Sequence, residues 1–127
     1  MADLVEKVLS FEINGALFQV CNTLGGGYQE KYYQRAIAKE LERRGLKFTE
    51  QVLVPLTYQD ESIGRYFLDF LIEGKIVLEI KVSPTFYARD VKQVLAYLKA
   101  TNIPLGILAN FNRSGLKIKR ILRGTQS

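Results

Sequence analysis

The sequence predicts an α/β fold in which a mixed β-sheet packs against helices. Two helix-periodic segments come first, three strand-like runs joined by short turns follow, and a third helical segment separates two further strand-like runs. The order α-α-β-β-β-α-β-β suits an α/β sandwich.

In "FEINGALFQVCNTLGGG", Ile13, Ala16, Leu17, Val20, Cys21 and Leu24 recur at helical spacing, and Gly25, Gly26 and Gly27 stop the helix. A second helix is predicted from about Tyr28 to Arg44. It ends at Gly45, with Arg43 and Arg44 suited to its C-terminal dipole. Gln51–Tyr58, Ile63–Ile72 and Lys75–Val82 read as a meander, broken by "QDES" and "EGK". Pro55 cannot donate to a ladder, so the first of these strands is expected at an edge or bulged. "TFYARDVKQVLAYLKAT" is a helix whose core stripe is Val91, Val94, Leu95 and Leu98. "PLGILAN" is an apolar strand, and "GLKIKRILR" a final, more exposed one.

At 127 residues, 47% hydrophobic and 24% charged, the chain fits one domain, residues 1–127, with ordinary globular composition. A single cysteine, Cys21, excludes an internal disulfide and suits a reducing cytosol, so a cytoplasmic location is expected. The opening "MADLVEKV" has no long apolar run, so no signal peptide is read there. No stretch approaches the roughly 20 apolar residues of a membrane span. With no histidine, imidazole general-base catalysis is excluded and a zinc site is disfavoured. The net charge of +5 leans toward anionic partners.

Charge in the most apolar stretch is the informative anomaly. In "LEIKVS", Glu79 and Lys81 interrupt a strand and share a face with Val77, while Ile76, Leu78 and Ile80 take the other. A lone carboxylate, Asp69, interrupts the preceding strand between Leu68 and Phe70. A three-residue loop of Glu73, Gly74 and Lys75 would set Asp69 across from Glu79; a two-residue loop would set Leu78 there instead. Read alone, the three charges are a cross-strand ion-pair cluster. Glu30 adds weight, because it occupies the amino end of the stripe Tyr33, Ile37, Leu41, where an apolar residue belongs; the helix dipole also favours an acid there. Gln93 and Tyr97 form a polar i,i+4 pair beside the third helix's stripe, which taken alone reads as a solvated flank.

Together these residues resemble the GxxExxY family of the PD-(D/E)XK nuclease superfamily. "GYQEKYY" carries Gly27, Glu30 and Tyr33; "FLDF" carries Asp69; "LEIK" carries Glu79 and Lys81; "QVLAY" carries Gln93 and Tyr97. The stretch "YLKATNIPLGILANF" is also similar, so the likeness runs from about Asn14 to Arg120. Leu68 stands where the superfamily has proline, and Cys21 where family members often have histidine; Cys21 is assigned to packing.

The resemblance implies a restriction-endonuclease-like core and a metal-dependent nuclease acting on nucleic acid, DNA more than RNA. It implies Mg²⁺ or Mn²⁺ held by Asp69, Glu79 and the backbone carbonyl of Ile80, with Glu30 acting through water or on a second ion. Lys81 would orient or deprotonate the attacking water, and Gln93 with Tyr97 would support the site. Lys117, Lys119, Arg120 and Arg123 of the last strand, with Lys47, Arg65, Arg89 and Lys92, are candidate phosphate contacts or a solvated surface. A homodimer is compatible with such a small nuclease. A non-catalytic nucleic-acid-binding or regulatory protein on the same fold is the alternative.

Overall fold

Each predicted element forms, with ends shifted by a few residues. The computed structural model describes residues 6–124, so part of the opening stretch read for a leader lies outside it. In chain order the elements are α1 (Lys7–Leu24), α2 (Glu30–Arg43), β1 (Phe48–Tyr58), β2 (Glu61–Ile72), β3 (Ile76–Val82), α3 (Ala88–Ala100), β4 (Leu105–Asn112) and β5 (Gly115–Leu122). Helix α1 starts earlier than its periodicity predicts because Val8 and Phe11 are exposed and fall off the buried stripe. Helix α2 starts later: Tyr28 stays outside it and extended Gln29 caps it.

The five strands follow sequence order, β1-β2-β3-β4-β5. All neighbours are antiparallel except β3 and β4, which run parallel because α3 carries the chain back between them. Pro55 lies on β1, an edge strand whose register slips between Leu56 and Thr57.

One face of the sheet is covered by α1 and α2. Ile13, Leu17, Tyr33, Ile37 and Leu41 pack there on Phe70, Ile72, Ile76, Leu78, Ile80 and Phe111. On the other face Val91, Val94 and Leu98 of α3 pack on Leu68, Val77, Leu108 and Ile121. Burying each of these aliphatic side chains contributes about 1.5–3 kcal/mol.

The two ladders around β2 both lapse at Asp69. Tyr66 and Leu68 belong to the α3 side, yet Phe70 and Ile72 belong to the α1–α2 side. A regular strand keeps residues i and i+2 on one face, so β2 turns over at Asp69. Strand β1 turns over with it: Val52 and Val54 pack toward α3 and Phe48 toward α1–α2, with Gln51 at φ 54° between them. Positive φ outside glycine marks a local break in strand geometry.

Gly106 shows how tightly α3 sits on the sheet. A Cβ there would collide with Val94 Cγ1 and lie 3.3 Å from Val77 Cγ1. Gly106→Ala should therefore lower stability by about 1–3 kcal/mol through overpacking. Urea denaturation checks it, and a midpoint equal to the wild type would show that α3 is free to lift.

Candidate active site

Glu73 (φ 54°), Gly74 (φ 66°) and Lys75 form the three-residue turn, with Ile72 paired to Ile76. The β2–β3 register continues through Leu71–Val77 to Phe70–Leu78, and there the ladder ends. One residue further, side chains replace the backbone partners. The Asp69 N–H donates to Glu79 Oε1 at 3.0 Å, and the Ile80 N–H donates to Asp69 Oδ2 at 2.7 Å. Both carboxyls are buried, with Asp69 7% and Glu79 4% exposed. The register thus brings Asp69 and Glu79 together, and Ile80 reaches the cluster through its amide.

Burial pushes the Asp69 carboxyl up, against the pull of its hydrogen bonds to Glu79, Ile80 and Gln34 and of the Lys81 charge. Glu79 is pushed further, from 4.5 to about 9, by burial first and then by the Asp69 charge beside it.

Lys81 Nζ lies 3.5 Å from Glu79 Oε2 and 3.8 Å from Asp90 Oδ1. Burial works against its ammonium, but Glu79, Glu30, Asp90 and Asp69 outweigh it and push Lys81 up. Lys81 is thus held as a cation and hydrogen-bond donor. Glu30 joins the group from α2: its Oε1 accepts from the Val82 N–H at 3.3 Å, and burial raises its carboxyl. Gln34 ties the two walls together. Its Nε2 donates to Asp69 Oδ1 at 2.8 Å and to Glu30 Oε2 at 3.4 Å.

The other residues of the glycine-to-tyrosine signature have mechanical roles. Gly27 adopts φ 98°, which favours glycine. Tyr33 stacks on Phe111 with ring centres 4.3 Å apart, and its hydroxyl donates to Gly25 O at 2.6 Å. Tyr33 therefore anchors the loop that precedes Glu30.

Gln93 and Tyr97 of the third helix sit in different surroundings. Gln93 enters through its backbone carbonyl, which accepts from the Tyr66 hydroxyl at 2.7 Å. Tyr97 is buried in the α3 core, and burial alone raises its hydroxyl. The Tyr66 hydroxyl is raised by burial and then by the Glu79 charge.

The cations of β5 are not brought together. Lys117 and Lys119 lie in register with Asn110 and Leu108, which pair with Lys81 and Glu79, so these two lysines share the sheet face of the site. Arg120 turns to the other face, where its guanidinium donates to Ser10 Oγ at 3.0 Å. Arg123 donates to Thr101 O and Asn102 Oδ1, after α3.

Sequence reasoning missed Gln34, Tyr66 and Asp90. Gln34 was the most accessible, being one helical turn beyond Glu30. Asp90, 5% exposed in the first turn of α3, reaches Lys81 only because α3 docks there.

The sequence model of the PD-(D/E)XK nuclease superfamily matches residues 7–121. The chain belongs to that superfamily. Its three helices and five-stranded mixed sheet are consistent with the restriction-endonuclease-like fold of the superfamily. The solved structure described as "Crystal structure of SSO0001" is similar with a TM-score of 0.48 and 14% identity, over 94% of this chain and 79% of that one. No curated protein matches significantly. Superfamily membership points to nuclease chemistry on a nucleic acid, and PD-(D/E)XK nucleases generally use divalent metals such as Mg²⁺. No described helix is long and apolar enough to cross a membrane.

Asp69 and Glu79 fit such a cation by chemistry: they are hard oxygen donors, buried as a pair with too little positive charge beside them. Among the described residues no three acidic side chains form a ready-made cage.

The raised Glu79 gives a pH prediction for metal-free protein. The folded state holds a proton that the unfolded chain releases above 4.5, so stability is fully present below 4.5 and is lost as pH rises toward about 9. Glu79 alone should contribute no more than about 1.4 kcal/mol per pH unit to the slope. Denaturation in EDTA across that range should show the decline, Glu79→Gln should flatten it, and added Mg²⁺ should oppose it. A wild-type curve as flat as that of Glu79→Gln would mean that Glu79 is ionised without metal.

Proposed function

We propose that the protein is a metal-dependent nuclease of the GxxExxY type that hydrolyses phosphodiester bonds, with DNA as the first substrate to test. The observation that carries this reading is the buried Asp69–Glu79 pair beside Lys81 at the point where the β2–β3 ladder stops. A structural ion pair would balance its charges; here the buried Asp69, Glu79 and Asp90 and the half-buried Glu30 surround the Lys81 ammonium.

Asp69 and Glu79 would hold Mg²⁺ or Mn²⁺ through carboxylate oxygens, with the Ile80 carbonyl and Glu30 as further donors. When bound, the cation would neutralise charge on the phosphoryl oxygens and favour ionisation of water. Lys81, kept as an ammonium, orients the attacking water and offsets phosphate charge as it grows. Gln34 holds Glu30 and Asp69 at fixed separation. Gln93 and Tyr97 support the site through α3, the first by its bond to Tyr66. Hydrolysis adds water across one P–O ester bond, leaving a phosphate on one fragment and a hydroxyl on the other. Lys117 and Lys119, on the same sheet face, would contact phosphates.

A non-catalytic nucleic-acid-binding protein is the second reading. One observation favours it: Asp69 and Glu79 each commit an oxygen to a backbone amide, which a cation must share or displace.

Cleavage assays with Mg²⁺ or Mn²⁺ over single-stranded, duplex and branched DNA and RNA separate the two. Asp69→Ala, Glu79→Ala and Lys81→Ala should each lower cleavage by about 10²–10³-fold or more. By calorimetry, only Lys81→Ala should keep metal affinity. Glu30→Gln should cost about 10–100-fold, as for a group acting through water. Wild-type protein that binds nucleic acid but no divalent cation, even in the complex, would establish the second reading.

Salt dependence tests the contact face. Replacing Lys117 and Lys119 together should reduce the slope of log affinity against log salt by about 1.8 for duplex. An unchanged slope would place the phosphates elsewhere.

A further inference from the structure

Beside the carboxylates lies a groove of about 500 Å³ that neither the hydrolytic cluster nor the core uses. Three loops build it: residues 27–28 before α2, residues 82–84 after β3, and residues 112–114 between β4 and β5. Each is tied down. The glycine loop is held by the Tyr33 hydroxyl, and it backs so closely onto the β4–β5 turn that a Cβ on Gly26 would lie 3.0 Å from Asn112 O. The Ser83 N–H and Oγ both donate to Oδ1 of the buried Asn110 at 3.0 Å. Asn112 Nδ2 donates to Ser83 O at 3.3 Å, and its Oδ1 accepts from the Ser114 N–H at 2.8 Å. The groove is therefore preformed, which lowers the ordering cost of filling it.

Its lining has a definite chemistry. Tyr28 is held edge-on to Tyr33, with ring centres 6.0 Å apart, yet remains 45% exposed. Val82, 38% exposed, and Pro84 add apolar surface. Arg113 brings a guanidinium that forms no ion pair among the described residues. An aromatic ring, an apolar wall and one unpaired cation match a nucleotide, with its base on the ring and its phosphate on the guanidinium. The volume falls in the range of about 300–1,000 Å³ usual for sites that enclose a small ligand. A base inside a duplex has both faces stacked and offers none to Tyr28. Val82 links the groove to the acids, since it follows Lys81 and its N–H donates to Glu30.

We infer that this groove holds an unpaired nucleotide next to the scissile phosphate, so that the substrate class is single-stranded nucleic acid or a single-stranded end or flap. The word scissile rests on the nuclease reading above; the binding does not.

Fluorescence anisotropy in EDTA, with a short labelled single-stranded deoxyoligonucleotide and its blunt duplex, tests binding apart from cleavage. Tyr28→Ala should weaken the single strand on the order of tenfold, while Tyr28→Phe keeps wild-type affinity because the ring remains. Arg113→Ala should weaken it too and reduce its salt slope by about 0.7, one phosphate contact. Blunt duplex affinity should stay within about twofold for all three variants, which also controls for folding. Single strand and duplex weakened alike, or neither weakened, would overturn the inference. Protein that cuts nothing yet shows the Tyr28-dependent preference keeps the groove and loses the nuclease reading. Protein that cuts, with Tyr28→Ala binding single strands as well as wild type, keeps the nuclease reading and loses the groove.

Discussion

The end of the β2–β3 ladder at Phe70–Leu78 is the constraint on which the site depends. Beyond that pair the amides of Asp69 and Ile80 still need acceptors, because an unpaired buried N–H costs about 1–3 kcal/mol. The Glu79 and Asp69 carboxyls supply them. A strand break and a buried acid pair are thus one feature: the acids satisfy the backbone, and the backbone holds the acids. The turn-over of β2 at Asp69 follows from the same break, and it lets that side chain meet Gln34 of α2 on one side and the β3 charges on the other.

Charge balance is the second consequence. Burial raises both carboxyls, and the Asp69 charge drives Glu79 further in that direction. Lys81 opposes both but is one ammonium among Glu79, Glu30, Asp90 and Asp69. The arrangement is electrostatically incomplete, which suits hard cations and phosphate chemistry better than a structural ion pair does. Its rigidity comes from outside the cluster. Tyr33, clamped on Phe111, fixes the glycine loop, and that loop sets where α2 begins and hence where Glu30 points.

The same clamp shapes the neighbouring groove. The loops after α1 and after β4 meet where Gly26 has no side chain to hold them apart, and the Ser83–Asn110–Asn112 bonds join the end of β3 to them. Site and groove therefore share one scaffold, and a change that loosens Tyr33 reaches both.

The sequence by itself determined the order of elements, their approximate ends and the core stripes, because these rest on local periodicity and on glycine and proline chemistry. It also singled out Glu30, Asp69, Glu79 and Lys81, since a charge in an apolar stripe or strand stands out against that periodicity. Only the tertiary structure decided the rest. Register chose between the two hairpin loops, since both turn lengths fit the residues Glu73, Gly74 and Lys75. Docking of α3 brought Asp90 to Lys81 and placed Tyr97 in the core, which i,i+4 spacing could not reveal. The face of β5 separated Arg120 from Lys117 and Lys119, and the α3–β4 loop claimed Arg123. Spacing along a chain says which residues share an element's face; which elements then meet depends on packing between segments far apart in sequence.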